Sequence, residues 1–443
     1  MEFAYDVHNI VRVANKQTPA TNILPMLLPV FQGPPGKLCS RCAQIERIPM
    51  LASKAPFSTA EYDRRIRITR AAMAEAGIDV LFVTNPSNQY WLTGYDGWSF
   101  YVHQGVILPL EGDPYWWGRM QDANGAKRTV WMDHSQILYY ADRYIQATDC
   151  HPMEDLASHL RIMGFGDKRI GVEMETYFYT ARAHQVLLDG LPEATIIDGS
   201  SLVNWRRLIK SDEELAFMRR AARISELVIE RAVELAEPGM HKHDLVGELY
   251  KTAVQGEDDS WGDYPAIVPL LPSGEDASAP HLTWNGEALK SGEATFIEQS
   301  GCYRRYHAPL SRTIFFGKPP QFMTDASEAL TAGLNAGIEV ARAGNRACDI
   351  ARALDVEMMK VGIERPNRAG YAVGLSYPPD WGEHTVSIRA MDETVLEPGM
   401  TFHFMPGLWM DDWGLETTET ILIREDGPAE TLCNIERKLF VKD

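Results

Sequence analysis

Residues 289–298 read LKSGEATFIE, and residues 396–405 read LEPGMTFHFM. Each has a leucine, a glycine three residues on and then a short apolar run, so the two segments match at an offset of 107 residues. The same helical grammar precedes both. A long amphipathic run over 211–236 carries Leu215, Met218, Ala222, Val228, Ala232 and Leu235 at three-to-four spacing and stops at Pro238-Gly239. Asp244, five residues past that glycine, is placed to cap a second helix. In the later copy a helix over about 327–341 leads to Gly344, and Asp349, again five residues past the glycine, opens the helix IARALDVEMMKVG. The pattern predicts an internally duplicated α/β unit in the second half of the chain. Period two then puts Phe296 with Glu298, and His403 with Met405, on matching faces of two equivalent strands, so that a shared cleft would gather all four.

Working outward, 58–77 (STAEYDRRIRITRAAMAEAG) has a Ser/Thr cap, Glu61 three residues after Ser58 and Gly77 at the stop, which predicts a helix. It leads into IDVLFVT at 78–84, a buried strand, and a turn-rich NPSNQYWLTGYDGW. Further strands are expected at 101–108, 169–173 and 194–197, with a helix near 180–188. The chain therefore divides into an irregular, proline-punctuated extension (1–56), an α/β domain (57–205) and the duplicated domain (206–443). The fold class is α/β (α+β).

Composition narrows the function classes. Apolar residues make up 45% and charged residues 23%, ordinary globular usage that excludes disordered, collagenous and coiled-coil readings. The net charge of −18 repels phosphate backbones and anionic lipid, so neither a nucleic-acid nor a membrane-surface partner is expected. Six cysteines are too few for a disulfide-built scaffold, and Cys150, Cys302, Cys348 and Cys433 are scattered, which points to a reducing, cytoplasmic setting. Cys39 and Cys42 form a lone CxxC with no second pair at zinc-site spacing. No run reaches the ~20 apolar residues of a membrane span.

The chain lacks GxGxxG after a strand, GxxxxGK[ST], GxSxG and HExxH, so its chemistry must come from a dispersed constellation. Three segments concentrate polar and aromatic residues: PSGEDASAPH ending at His281, FIEQSGCYRRYHAPLSRT over 296–313 and FHFMPGLWMDDWGLETTET over 402–420. With the duplication, these resemble the pita-bread superfamily of creatinase, prolidase and methionine aminopeptidase over about residues 57–443. That resemblance implies an N-terminal creatinase-like α/β domain, an internally duplicated pita-bread domain and a homodimer.

Metallopeptidases of that superfamily hold two metal ions with two Asp, one His and two Glu. Aligned on Arg312-Thr313, those positions fall on Glu298, Pro309, Tyr371, Met405 and near Thr418. Proline, methionine and threonine side chains are poor ligands for hard cations, so no metal and no cofactor is expected, as in the metal-free creatinase-like branch. His281, eight residues after Ser273, stands at the spacing at which that branch places its catalytic histidine. Within the branch, NPSNQYWLTGYDGWSFYVHQ and GRMQDANGAKRT resemble the ectoine hydrolase family, which implies hydrolysis of a small zwitterionic cyclic amidine.

An amidinium is matched by a carboxylate in a partly dry pocket with aromatic faces around it. Glu298 supplies the carboxylate, either attacking the carbon between the two nitrogens or activating water, while His281 carries protons. Tyr95, Trp98 and Phe100 are expected to supply the aromatic faces, and Tyr371 and His403 to line the pocket where metal ligands were lost. The alternatives are a creatinase-type amidinohydrolase and a non-catalytic binding protein of the same fold. Retention of both His281 and Glu298 favours an enzyme.

Overall fold

The computed structural model describes residues 55–443; the proline-rich stretch before them, with Cys39 and Cys42, lies outside the described residues. The first helix spans Thr59–Ala76, with the Ser58 side chain accepting from the Glu61 amide and Gly77 ending it at φ 65°. That left-handed conformation is one glycine adopts without a Cβ clash. The strand Val80–Val83 follows at the centre of a six-stranded sheet, parallel to Arg169–Val172 and antiparallel to Gly105–Pro109. Alternation decides its two faces: Val80 and Phe82 pack with Leu156, Leu160 and Leu187 of the covering helices, while Leu81 and Val83 join Tyr62 and Met73.

The stretch read from sequence as turn-rich contains a helix, Pro86–Thr93, buried at all eight residues. Asn85 accepts from the Ser87 amide and Pro86 occupies the first turn, so Asn-Pro acts here as a helix start.

In the second half, Asp212–Leu235 is opened by a Ser211/Glu214 capping box and is followed by Lys242–Gln255. Their counterparts are Gln321–Val340 and Ala347–Met359. The expected caps need correction: His241 and Arg346 occupy the cap positions, and Asp244 and Asp349 lie in the first turns. Asp349 accepts from the Arg346 amide at 2.9 Å, and an acid in the first turn is favoured by the positive end of the helix dipole.

Two long strands, Ala294–Tyr303 and Tyr306–Phe316, form a hairpin that places Glu298 opposite Ser311 and Ser300 opposite Pro309. Its two-residue turn, Arg304-Arg305, has φ of 51° and 68°. Both values are positive, as a type I′ turn requires. Asp96 of the first domain holds Arg305 at 2.9 Å and accepts from the Tyr377 hydroxyl at 2.8 Å, so the Asp96 loop is pinned to the hairpin tip. At Gly301 an added Cβ would lie 2.1 Å from the Ala221 carbonyl, which is how closely the helix Asp212–Leu235 rests on the hairpin.

The second copy builds a five-stranded sheet in the order Gly382–Ile388, Gly370–Val373, Thr401–Phe404, Glu419–Leu422, Glu430–Thr431. The Thr418 amide donates to the Ser311 carbonyl at 3.2 Å and the Thr420 hydroxyl to the Pro309 carbonyl at 2.8 Å, joining the two halves. No helix among the described residues is long and apolar enough to cross a membrane.

Candidate active site

Glu298 lies mid-strand, where its backbone exchanges hydrogen bonds with Leu270 at 2.9 and 3.1 Å. Its side chain reaches the base of a cleft of about 680 Å³ whose walls include His281, Tyr371, Trp381, Met405 and Trp409. That volume lies within the roughly 300–1,000 Å³ typical of small-molecule sites. Both halves contribute: Glu298 comes from the first copy, Tyr371 and Met405 from the second.

A hydrogen-bonded relay runs behind Glu298. Trp381 Nε1 donates to the Tyr371 hydroxyl at 2.7 Å, which lies 3.1 Å from His403 Nδ1, and His403 Nε2 is 2.8 Å from Thr418 Oγ1. His403 Nδ1 is 4.0 Å from the Glu298 carboxyl. Burial, aided by the charge of Arg368, lowers the His403 pKa to about 3, so the ring is neutral near pH 7. Burial, with Glu298 adding to it, holds the Tyr371 hydroxyl well above its ordinary pKa. Both residues position hydrogen bonds without changing charge.

A second carboxyl belongs to the site. Glu416, fully buried, stands close enough to Glu298 to raise its pKa, though burial is the larger cause for Glu298. Burial lifts Glu416 to about 7, with the neighbouring Ser311 hydroxyl pulling the other way. Neither Glu416 carboxyl oxygen makes a well-formed hydrogen bond within the protein, and Ser311 Oγ is likewise unsatisfied. Two carboxyls in one dry space do not both ionise readily, so the pair holds a proton in common.

The sequence-predicted residues divide. Glu298, His281 and Tyr371 line one cleft, and His403 lies directly behind it. Tyr95, Trp98 and Phe100 do not line that cleft within the chain. Tyr95 is buried against Trp116, with its hydroxyl 2.6 Å from Ser99 Oγ and within reach of Gln104. Trp98 is 57% exposed and meets Tyr264 edge-on, and Phe100 lines a neighbouring cavity with Phe178 and Pro379. Pro379 borders both cavities, so the aromatic loop adjoins the Glu298 cleft without entering it. The aromatic walls come instead from Trp381 and Trp409.

Glu416 escaped the sequence reading, although a signal was present: in LETTET it lies two residues before Thr418, the place aligned with the last metal ligand of the peptidases. Glu419 points elsewhere and pairs with Arg312 at 2.6 Å.

The residues do not fit the two-metal centre of the superfamily's peptidases. The Pro309 carbonyl accepts from Thr420, Thr418 Oγ1 is engaged by His403, and Met405 offers only a thioether. Among the described residues no group of three or more His, Cys, Asp or Glu side chains is arranged to hold a metal ion.

The comparisons agree with this architecture. Residues 65–209 match the creatinase/prolidase N-terminal domain, and residues 216–425 match metallopeptidase family M24. The prolidase of Thermococcus sibiricus superposes with a TM-score of 0.75 at 18% identity, covering 87% of this chain and 100% of that one. The Xaa-Pro dipeptidase of Bacillus anthracis gives 0.73 at 19% identity, covering 86% and 99%. The chain belongs to the creatinase/M24 family, with the pita-bread fold. Within it, the chain is 53% identical to the ectoine hydrolase of Halomonas elongata over 404 residues, covering 89% of this chain and 100% of the relative. An uncharacterised hydrolase/peptidase of Sinorhizobium fredii is 40% identical, covering 87% and 99%.

Proposed function

We propose that this protein is a hydrolase that opens the cyclic amidine ring of ectoine or of its hydroxylated form in compatible-solute breakdown, yielding N-acetyl-2,4-diaminobutyrate from ectoine. The observation that carries the reading is a buried Glu298 at the base of an aromatic-walled cleft, in a chain 53% identical to an ectoine hydrolase along that enzyme's whole length.

The mechanism follows from the charges. Burial of Glu298 and Glu416 opposes ionisation of both, so the two carboxyls retain a proton between them. An amidinium arriving beside Glu298 favours the carboxylate there, leaving the proton of the pair on Glu416. Glu298 then supplies the nucleophile, its own carboxylate oxygen or that of a water it deprotonates, to the carbon between the two ring nitrogens. One carbon–nitrogen bond breaks, and the departing nitrogen takes a proton, which we assign to His281 on the cleft wall. The oxygen of water ends in the acetyl group, and the ring nitrogens become an amide and an amine. His403, neutral near pH 7, is excluded as the acid and instead orients Tyr371.

The same reading makes catalysis independent of metal, since the ligand positions of the peptidases carry proline, methionine and threonine here. A homodimer belongs to it as well, with exposed Trp98 and the Phe100 cavity as the surfaces through which a second subunit would reach the cleft. So does a reducing cytoplasm, which suits the free Cys150, Cys302, Cys348 and Cys433.

Incubation with ectoine, followed by mass spectrometry for the ring-opened acetylated product, tests the function. Absence of that product, with turnover of creatine in its place, overturns it.

A further inference from the structure

We infer that Arg368 binds the substrate's carboxylate and so selects zwitterionic amidines over neutral-tailed ones, an inference that rests on the proposed hydrolysis of ectoine. Arg368 lies just before the strand Gly370–Val373, at the exposed rim of the Glu298 cleft. Its guanidinium carbon stands 4.4 Å above the Tyr371 ring. A cation–π contact of this kind uses the face of the guanidinium and does not consume its N–H donors.

Among the described residues Arg368 forms no ion pair; the one other acid on the cleft wall, Asp380, feels its charge at longer range but is held by His384 at 2.8 Å and by the Gly382 amide at 2.8 Å. Arg368 is the one arginine among the described residues that lines this cleft, and Arg305 at the hairpin tip is paired with Asp96 at 2.9 Å. The cleft is therefore dipolar. The acid Glu298 sits at its base, beside the hydroxyl end of Tyr371, and an unpaired cation sits over the face of the same ring. A ligand carrying an amidinium at one end and a carboxylate a few bonds away matches that order of charges. Arg is suited to the task because its fork meets both carboxylate oxygens at once.

The test compares two substrates on two proteins: ectoine and its carboxamide, which keeps the amidine and loses the anion, each with the wild-type protein and Arg368→Gln. Arg368→Gln should raise KM for ectoine by roughly 10- to 100-fold, the loss expected for a charge-assisted pair, with kcat within a few-fold of wild type. The carboxamide should be handled alike by both proteins. Arg368→Lys, keeping charge without the fork, should fall between. Because Arg368 is exposed, the variants should unfold at the wild-type temperature, which a thermal scan checks. Equal losses on both substrates, or an unchanged preference for ectoine in Arg368→Gln, overturn the assignment while leaving ectoine hydrolysis standing. A wild-type protein inert towards ectoine overturns both.

Discussion

Replacing Glu416 by Gln tests whether the cleft contains two coupled acids. Glu416 keeps its proton to about pH 7 in the folded protein, against an ordinary value of 4.5. Between those limits the native state binds more protons than the unfolded chain. Stability is therefore fully present below pH 4.5 and is lost as pH rises through about 7. A shift of that size, at about 1.4 kcal/mol per pH unit, corresponds to roughly 3 kcal/mol. Glutamine does not titrate, and its neutrality also removes the charge that pushes the Glu298 pKa upward. With an unfolding entropy of about 2 cal/mol/K per residue, a chain of this length gains or loses roughly 3 °C in Tm for 3 kcal/mol. Thermal unfolding at pH 5 and pH 8 is the assay. The Tm of Glu416→Gln minus that of the wild type should rise by about 3 °C between the two conditions, whatever constant offset the amide introduces. Parallel curves for the two proteins would show that Glu416 ionises normally and that no proton is shared.

The chemistry yields three more expectations. Glu298→Gln and His281→Ala should each reduce ectoine turnover by at least ~10²-fold, the usual scale for removing an acid–base group, with unchanged far-ultraviolet circular dichroism. Near-normal activity in either removes that residue from the mechanism. Prolonged dialysis against a chelator should leave turnover intact, and strong inhibition restored by a divalent cation would refute the metal-independent reading. Tyr371→Phe strips a partner from Trp381 Nε1 and from His403 and should cost about 1–3 kcal/mol in denaturant unfolding. A neutral effect would mean that the relay behind Glu298 contributes nothing to stability.

How much of this was legible beforehand depended on the range over which each signal acts. The helix Thr59–Ala76 is written locally in Ser58, Glu61 and Gly77, and the structure reproduces it to within a residue. The duplication was visible because matching glycines and strands recur at nearly the same offset, and with it came Glu298 and His403; Tyr371 came from the superfamily resemblance, and the fold of the two copies brings the three together. The helix Pro86–Thr93 was hidden because Asn-Pro serves both turns and helix starts, and only burial of the segment against the sheet decides between them. Tyr95, Trp98 and Phe100 were grouped by sequence proximity, yet their side chains diverge: one packs inward on Trp116, one is exposed and one lines the next cavity. Trp381 and Trp409, which do wall the cleft, sit on separate segments that only the tertiary fold brings to one place.

The loss of metal ligands and the gain of a buried acid pair are two aspects of one change. A dinuclear centre keeps its carboxylates ionised, because the cations favour the charged form and each oxygen finds a ligand. At the equivalent place in this chain the second strand carries Pro309, whose carbonyl is used in joining the two halves, and Thr418 engages His403. No fixed cation then offsets the cost of burying Glu298 and Glu416, and their pKa values rise. The cation that such a site lacks is one the substrate itself can bring. An amidinium bound beside Glu298 would restore, for the lifetime of the complex, the charge balance that metal ions provide permanently in the peptidases. A neutral amide would not, so selectivity for a cationic ring and the absence of peptidase ligands have a single electrostatic origin.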